Sequence, residues 1–331
     1  MVYNSKMTSE SSQRKRKKRF ERDPEHAPAM RLTPRDVAII RHVSRHRFLN
    51  SRQIIELVGE SPRVVRRLEA LFRCGYLDRP KAQLVYYAKA GSEPLVYALA
   101  RKGAQILAET DHDTAEAFRW TLKNKRVGQV HVQHTVEAAD ILVKLATATK
   151  ATKAVRLVTQ DQILAEAPPA TQEMSQPFKL TAEVDWAKRH HKLFVIPDDV
   201  FALEFGDGIL EPQERANFFL ELDRETMPVM RKSKSLDRHD RQTSILSKLL
   251  TYHRAWRDKL HVERLGWENF RVLTATTSDK RIGSMMEAVK AITEGRGSSL
   301  FLFTTIDALR TTDILTVKWR SGKGEWVTLS Q

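Results

Sequence analysis

The sequence predicts a mixed α/β (α+β) protein in which a small module of three helices and a hairpin precedes a larger domain with a mixed β-sheet flanked by helices. Three observations carry that class. Between Thr33 and Ala98, three short segments with helical periodicity come before two short β-rich runs. Beyond residue 150, strands come first and then alternate with helical patterns, which indicates helices packed on a sheet. The chain has 331 residues, 41% of them hydrophobic, enough for two or three ordinary cores.

In chain order, residues 1–30 read as a disordered basic arm. They are polar, and the run Arg14, Lys15, Arg16, Lys17, Lys18, Arg19 repels itself and buries nothing. Thr33 and Pro34 suit the N-cap and first position of a helix carrying Val37, Ile40 and Val43 inward. A second helix fits Ser51 to Val58, closed by Gly59. A third begins after Ser61-Pro62, turns Val64, Val65, Leu68 and Leu71 inward and ends at Gly75. Strands at Gln83–Ala88 and Pro94–Ala98, joined through Gly91, complete the pattern of a winged helix-turn-helix over residues 31–110. In such a module the third helix enters the major groove and the wing touches backbone or minor groove. Arg63, Arg66 and Arg67 on that helix are therefore the candidate DNA contacts. Tyr86 joins them on the wing, since it and Tyr87 face opposite ways.

Leu99 to Glu109 reads as a helix leaving the wing, and 111–129 as a linker. A strong helix follows from about Val130 to Thr149 and opens the second domain, 130–310. Strands are expected at Val155–Val158, Leu193–Ile196, Val200–Phe205, Phe218–Asp223, Phe270–Ala275 and Leu300–Thr304. Helices are expected at Arg241–Lys259 and Arg281–Thr293, a surface loop at Ala165–Lys179, and a C-terminal extension at 311–331.

Charge and cysteine content narrow the function. Lys and Arg outnumber Asp and Glu by 56 to 41, a formal charge of +15, which favours a polyanionic partner. No apolar run is long enough to span a membrane, and the N-terminus lacks the apolar stretch of a signal peptide. Cys74 is the single cysteine, so a disulfide framework and a thiolate metal cluster are excluded; the chain reads as cytoplasmic. There is no phosphate-cradling Gly-rich loop and no His-x-His pair. His131 and His134 read as packing or supporting groups, and Lys188-Arg189-His190-His191-Lys192 as a phosphate-contacting loop.

The candidate chemistry lies in two strands. In Ile196-Pro197-Asp198-Asp199-Val200-Phe201 an apolar strand is interrupted by a Pro-Asp turn. In Phe218-Phe219-Leu220-Glu221-Leu222-Asp223 a buried strand ends in acids. Alternation places Glu221 and Asp223 on one face, roughly 6–7 Å apart. Carboxylates so placed need raised pKa values or a cation. If Asp198 joins them, Mg²⁺ or Mn²⁺ is the natural ion, polarising a phosphoryl oxygen and acidifying a bound water. The following helix offers Lys248 to orient water or hold phosphate, with Tyr252 one turn on.

A Pro-Asp turn followed by an acid-x-acid or acid-x-Lys strand resembles the signature of PD-(D/E)xK nucleases. With His134, the runs Ile196–Leu203 and Phe219–Thr226, Lys248 and Tyr252, the sequence resembles the replication-relaxation family, which includes MobC-type plasmid mobilisation relaxases. The resemblance spans roughly Leu32 to Leu309. It implies a restriction-endonuclease-like fold that nicks one strand at a plasmid or mobile-element origin, alongside other mobilisation or replication proteins. By position, Asp198, Glu221 and Asp223 would be metal ligands and catalytic with Lys248, and Glu137, His134 and Tyr252 supporting groups. Asp223 stands where the signature has lysine, so Lys248 substitutes, or three acids suffice, or catalysis has decayed. Two alternatives stand beside the nickase: a non-catalytic origin-binding accessory with a degenerate nuclease fold, and a transposon or defence nuclease cutting both strands.

Overall fold

A computed structural model describes residues 19–329 except 24, 26, 60–61, 84–92, 112–120, 122–123, 125–126, 153, 207–213 and 231–243. Helix α1 (Pro34–His46) starts where Thr33 and Asp36 cap each other's backbone, and α2 (Ser51–Val58) starts on the same reciprocal cap from Asn50 and Gln53. Between them a short strand, β1 (Phe48–Asn50), pairs antiparallel with β3 (Val96–Leu99), which also pairs with β2 (Leu77–Asp78). The order β1-β3-β2 makes a three-stranded sheet beside α3 (Pro62–Arg73). Gly103 lets α4 (Arg101–Asp111) lie against the turn after α3, since a Cβ there would come within 2.3 Å of the Tyr76 carbonyl oxygen.

Several expectations for this module change. Leu77–Asp78 is a strand outside the expectation, and Gln83, the first residue of the expected strand 83–88, sits in a 3₁₀ turn with its amide bonded to both the N–H and the carbonyl of Val96. Residues 84–88 of the expected strand, Tyr86 among them, lie outside the described residues, as do Arg14 to Lys18. Val65 points outward, 53% exposed, while Val64, Leu68 and Leu71 are buried as expected.

Helix α5 (Gln129–Ala151) belongs to two cores. Ala139 and Val143 pack among Ile54, Leu57 and Leu71 of the N-terminal module, and Val132 packs with Phe48 and Val96. Ala138, Ile141, Leu142 and Leu145 pack instead on the large sheet. The expected boundary near residue 130 therefore falls on a shared helix, tied again where the Gln53 amide donates to the Val136 carbonyl and Asp140.

The large sheet has seven strands in the order β12-β11-β10-β9-β8-β7-β4. They are β4 (Val155–Val158), β7 (Asp199–Phe205), β8 (Glu214–Leu222), β9 (Arg271–Thr276), β10 (Phe301–Thr305), β11 (Trp319–Ser321) and β12 (Trp326–Val327). β8, β9 and β10 are mutually parallel and the other pairings antiparallel, so the sheet is mixed. Alternation sorts its side chains between two cores. Phe201, Phe218, Leu220, Leu273 and Leu302 meet α5, while Val200, Phe219, Val272, Phe301 and Phe303 meet α8 (Ile245–Arg257) and α10 (Asp279–Ile292). The helices α9 (Leu260–Leu265) and α11 (Ile306–Thr311) fill the connections after α8 and β10.

Of the expected C-terminal extension, the described residues up to 329 join the domain. Ile314, Leu315, Val317 and Trp319 are buried against the sheet, and β11 and β12 extend it. The expected loop 165–179 holds α7 (Pro169–Gln172) after α6 (Gln160–Glu166), with Ala167, Thr171 and Phe178 buried. Next comes a hairpin of which only the Leu193–Ile196 end is expected, β5 (Leu180–Trp186) and β6 (Arg189–Val195), a separate two-stranded sheet; Arg189 to Lys192 of the expected basic loop are strand, and only Lys188 is in the turn. Its inner residues Leu180, Ala182, Val184 and Val195 share a core with α8. Its two-residue turn puts Ala187 at φ 50° and Lys188 at φ 64°, a left-handed backbone that costs a residue with a Cβ roughly 1–2 kcal/mol.

Candidate active site at the end of β8

The site forms where β7 begins and β8 ends. Their antiparallel register sets Asp199 against Leu220, which brings Asp198 opposite Glu221. The chain is pinned there twice: the Asp198 N–H donates to the Leu220 carbonyl (3.0 Å), and the Leu222 N–H donates to Asp198 Oδ2 (2.7 Å). Asp198 Oδ1 accepts from His134 Nε2 at 2.8 Å, reaching from the second turn of α5. Glu221 projects from the opposite face to Leu220 and Leu222 and is buried. Its Oε2 accepts from Lys248 Nζ at 2.5 Å, and its Oε1 from the Tyr252 hydroxyl at 2.7 Å. Lys248 and Tyr252 are one turn apart on α8, whose start is fixed by the Ser244–Ser247 capping box.

Electrostatics follow from burial and this pairing. Burial acts to raise the Asp198 carboxyl, but the His134 hydrogen bond, the Lys248 charge and the Leu222 amide outweigh it and hold the group below its ordinary value. His134 is raised, first by its bond to Asp198. Burial and repulsion from Asp198 push Glu221 up, with Lys248 and Tyr252 opposing. Lys248 loses hydration, yet Glu221 and Asp198 raise it, so it stays an ammonium. Tyr252 has 0% exposure, and burial and the Glu221 charge push its phenol well above the ordinary tyrosine value.

Asp223 does face the same side as Glu221, but it is engaged elsewhere. Arg281, at the start of α10, binds it in bidentate fashion, with Nε on Oδ2 at 2.7 Å and a terminal nitrogen on Oδ1 at 3.0 Å; the Thr276 hydroxyl adds 2.7 Å to Oδ2. Glu137 faces Arg224 at 3.1 Å. Arg281 and Arg224 carried no sequence signal, since an arginine after a strand is common and its partner is set by the fold.

The donor chemistry of Asp198 and Glu221 is that of a hard divalent cation, two carboxylates converging at a strand end. Each of their oxygens already accepts from a protein donor but keeps a second lone pair for a cation. Among the described residues no group of three or more His, Cys, Asp and Glu side chains is arranged to hold a metal ion. The fit is thus to two carboxylates with a lysine between them, with Asp223 held out of the set by Arg281.

The expected DNA-contacting residues separate as well. The Arg67 guanidinium is bound to buried Asp36 and donates to the Arg31 carbonyl at 3.0 Å. Arg63 and Arg66 are exposed on the outer face of α3 beside Val65. Arg19 offers its carbonyl to Arg79, which anchors the end of the basic arm on the module.

No helix among the described residues is long and apolar enough to cross a membrane. Residues 40–266 match the profile of a protein family described as replication-relaxation. No curated protein and no solved structure matches the chain.

Proposed function

The chain belongs to the replication-relaxation family, and from that premise we propose that it binds the origin of a plasmid or mobile element and nicks one DNA strand by hydrolysis at Asp198, Glu221 and Lys248. The observation that carries the reading is the register of β7 on β8, which sets two carboxylates face to face with the Lys248 ammonium drawn to both. Lys248 would fill the place that the nuclease signature gives to the lysine two residues after the acid. There it is positioned to hold a scissile phosphate or orient the attacking water. His134 fixes the direction of Asp198. Asp198 and Glu221 would hold Mg²⁺ or Mn²⁺, which when bound polarises the phosphoryl oxygen and acidifies water. Water as nucleophile is favoured over tyrosine: Tyr252 is fully buried, its hydroxyl already donates to Glu221, and a phenol with a raised pKa is a poor nucleophile.

Recognition falls to the N-terminal module, whose order of helices and strands supports a winged helix. Arg63 and Arg66 would enter the groove, with the arm from Arg14 to Arg19 adding sequence-independent affinity. Work at an origin places the protein in the cytoplasm beside other mobilisation or replication proteins. The second reading is a non-catalytic origin-binding accessory. What favours it is that every oxygen of the three acids already has a protein donor. Supercoiled plasmid carrying the origin, incubated with the protein and Mg²⁺ or Mn²⁺, decides between them. Open circle supports the nickase, linear product a double-strand nuclease, and binding without cleavage the accessory.

A further inference from the structure

The hairpin β5–β6 leads directly into the Pro197-Asp198 turn, and its outer face is not what a purely structural strand pair would show. Outward positions on β6 recur every second residue, His190, Lys192 and Phe194, and Ile196 just past its end continues the stripe. Ile196 is 47% exposed and Phe194 49% exposed. Single exposed apolar side chains are ordinary; two in succession on one face, ending at a candidate active site, are a patch. The Lys179 ammonium stands 4.4 Å from the Phe194 ring centroid. Lys192 lies next on the stripe, and Lys188 and Arg189 are at the exposed turn. Of the opposing charges on that face, Glu183 sits across from Lys192, and Asp185 across from His190, whose Nδ1 it meets at 2.9 Å. Asp185 therefore lies toward the tip and Glu183 at mid-hairpin beside Lys192, which leaves the end around Phe194 and Lys179 without a facing carboxylate on the hairpin. The two-residue turn that presents Lys188 adopts a left-handed backbone at Ala187 and Lys188, where Asn-Gly would be relaxed. That backbone is the one a two-residue turn between twisted strands needs, and it leaves the Lys188 side chain exposed at the tip.

We propose that this outer face is a platform for single-stranded DNA, on which an unpaired base stacks on Phe194 while Lys179 and Lys192 meet the flanking phosphates, carrying the strand toward Asp198. An exposed aromatic ring with lysines beside it suits a single strand rather than a duplex, whose bases offer no free π-face. The charge complementarity favours a polyanion over a second copy of this basic chain. The proposal rests on the reading of the adjacent cleft as a DNA-cleaving site and adds the path by which one strand reaches it.

The test is fluorescence anisotropy with labelled oligothymidylate, run without divalent metal so that binding is read apart from cleavage. Phe194→Ala should weaken binding by roughly five- to a hundred-fold, the range for loss of one stacked base, and Phe194→Tyr should restore it. Lys192→Gln should lower the slope of log affinity against log salt by about one or less. Affinity for the labelled origin duplex should be unchanged in all three. Unchanged oligothymidylate affinity in Phe194→Ala overturns the platform even if the plasmid is nicked. A loss restored by Phe194→Tyr upholds it even if no nicking is seen. If light scattering shows that Phe194→Ala turns a dimer into a monomer at unchanged oligothymidylate affinity, the face is an interface between copies and the proposal is wrong.

Discussion

Lys248→Met isolates the feature on which the site depends. The substitution keeps the aliphatic stem packed on α8 and removes only the ammonium that neutralises Glu221. Glu221, buried and pushed toward protonation by desolvation and by Asp198, then loses its cation, while Asp198 keeps its hydrogen bond to His134. Removing one partner of a buried pair costs about 3–5 kcal/mol because the other charge stays behind. That is a large share of the roughly 5–15 kcal/mol that holds a typical domain. The loss should depend on pH. Glu221 has a folded pKa above its unfolded value, and without Lys248 it rises further. Such a carboxyl subtracts stability as pH climbs through the unfolded value and up to the folded one. The deficit of the variant should therefore be greatest at neutral pH and shrink toward pH 4–5, near the unfolded pKa. Urea denaturation at several pH values measures this. Adding Glu221→Gln should recover part of the loss, with a coupling of about 1–3 kcal/mol in the double-mutant cycle. Nicking should fall by about 10²-fold or more in Lys248→Met, and Lys248→Arg, which keeps the charge, should fold normally while losing rate. Additive single and double effects, or a deficit that grows on acidification, would refute the pairing.

Three further outcomes follow from the same structure. Tyr252→Phe should retain most nicking, and after SDS treatment no protein-linked DNA should appear with either protein; a linked band present only with Tyr252 intact would overturn hydrolysis. Asp36→Ala should cost about 3 kcal/mol in urea denaturation, since it strands Arg67 and removes a helix cap; burial acts to raise Asp36, but Arg67 and Thr33 hold it below its ordinary value, so the stability it lends is full above the unfolded pKa and lost as pH falls through the folded one. Changing Arg63 and Arg66 to Ala should erode sequence preference by about 1–3 kcal/mol for each base-reading contact, whereas deleting residues 1–18 should weaken all DNA alike and flatten the salt dependence; gel shifts with origin and scrambled duplexes across a salt series separate the two.

The legible parts of the sequence were those with local causes. Thr33-Pro34 starts a helix because its cap lies within three residues, and the α5 and α10 patterns repeat often enough to stand out. The run around Glu221 read as a strand because apolar residues fill both faces. β1 has three residues and β2 two, too few for any period to register. β5 does alternate, Leu180, Ala182 and Val184 inward, but it follows a Pro- and Gln-rich stretch that reads as loop. At the site, the convergence of Asp198 and Glu221 and the reach of Lys248 followed from strand register and helix spacing. The diversion of Asp223 to Arg281, of Arg67 to Asp36 and of Glu137 to Arg224 did not, because each joins residues far apart in the chain, separated by 58, 31 and 87 positions.

The central claim is that Asp198 and Glu221 form one hydrolytic site that is separable from DNA binding. Its most direct measurement is the initial rate of conversion of supercoiled origin plasmid to open circle in Mg²⁺, for wild type and for Asp198→Asn, alongside origin affinity by gel shift. The account predicts nicking by wild type, loss of nicking in Asp198→Asn, and origin affinity within about a factor of three, because binding rests on groups elsewhere. Wild-type nicking by folded Asp198→Asn, or nicking and affinity lost together, would contradict it.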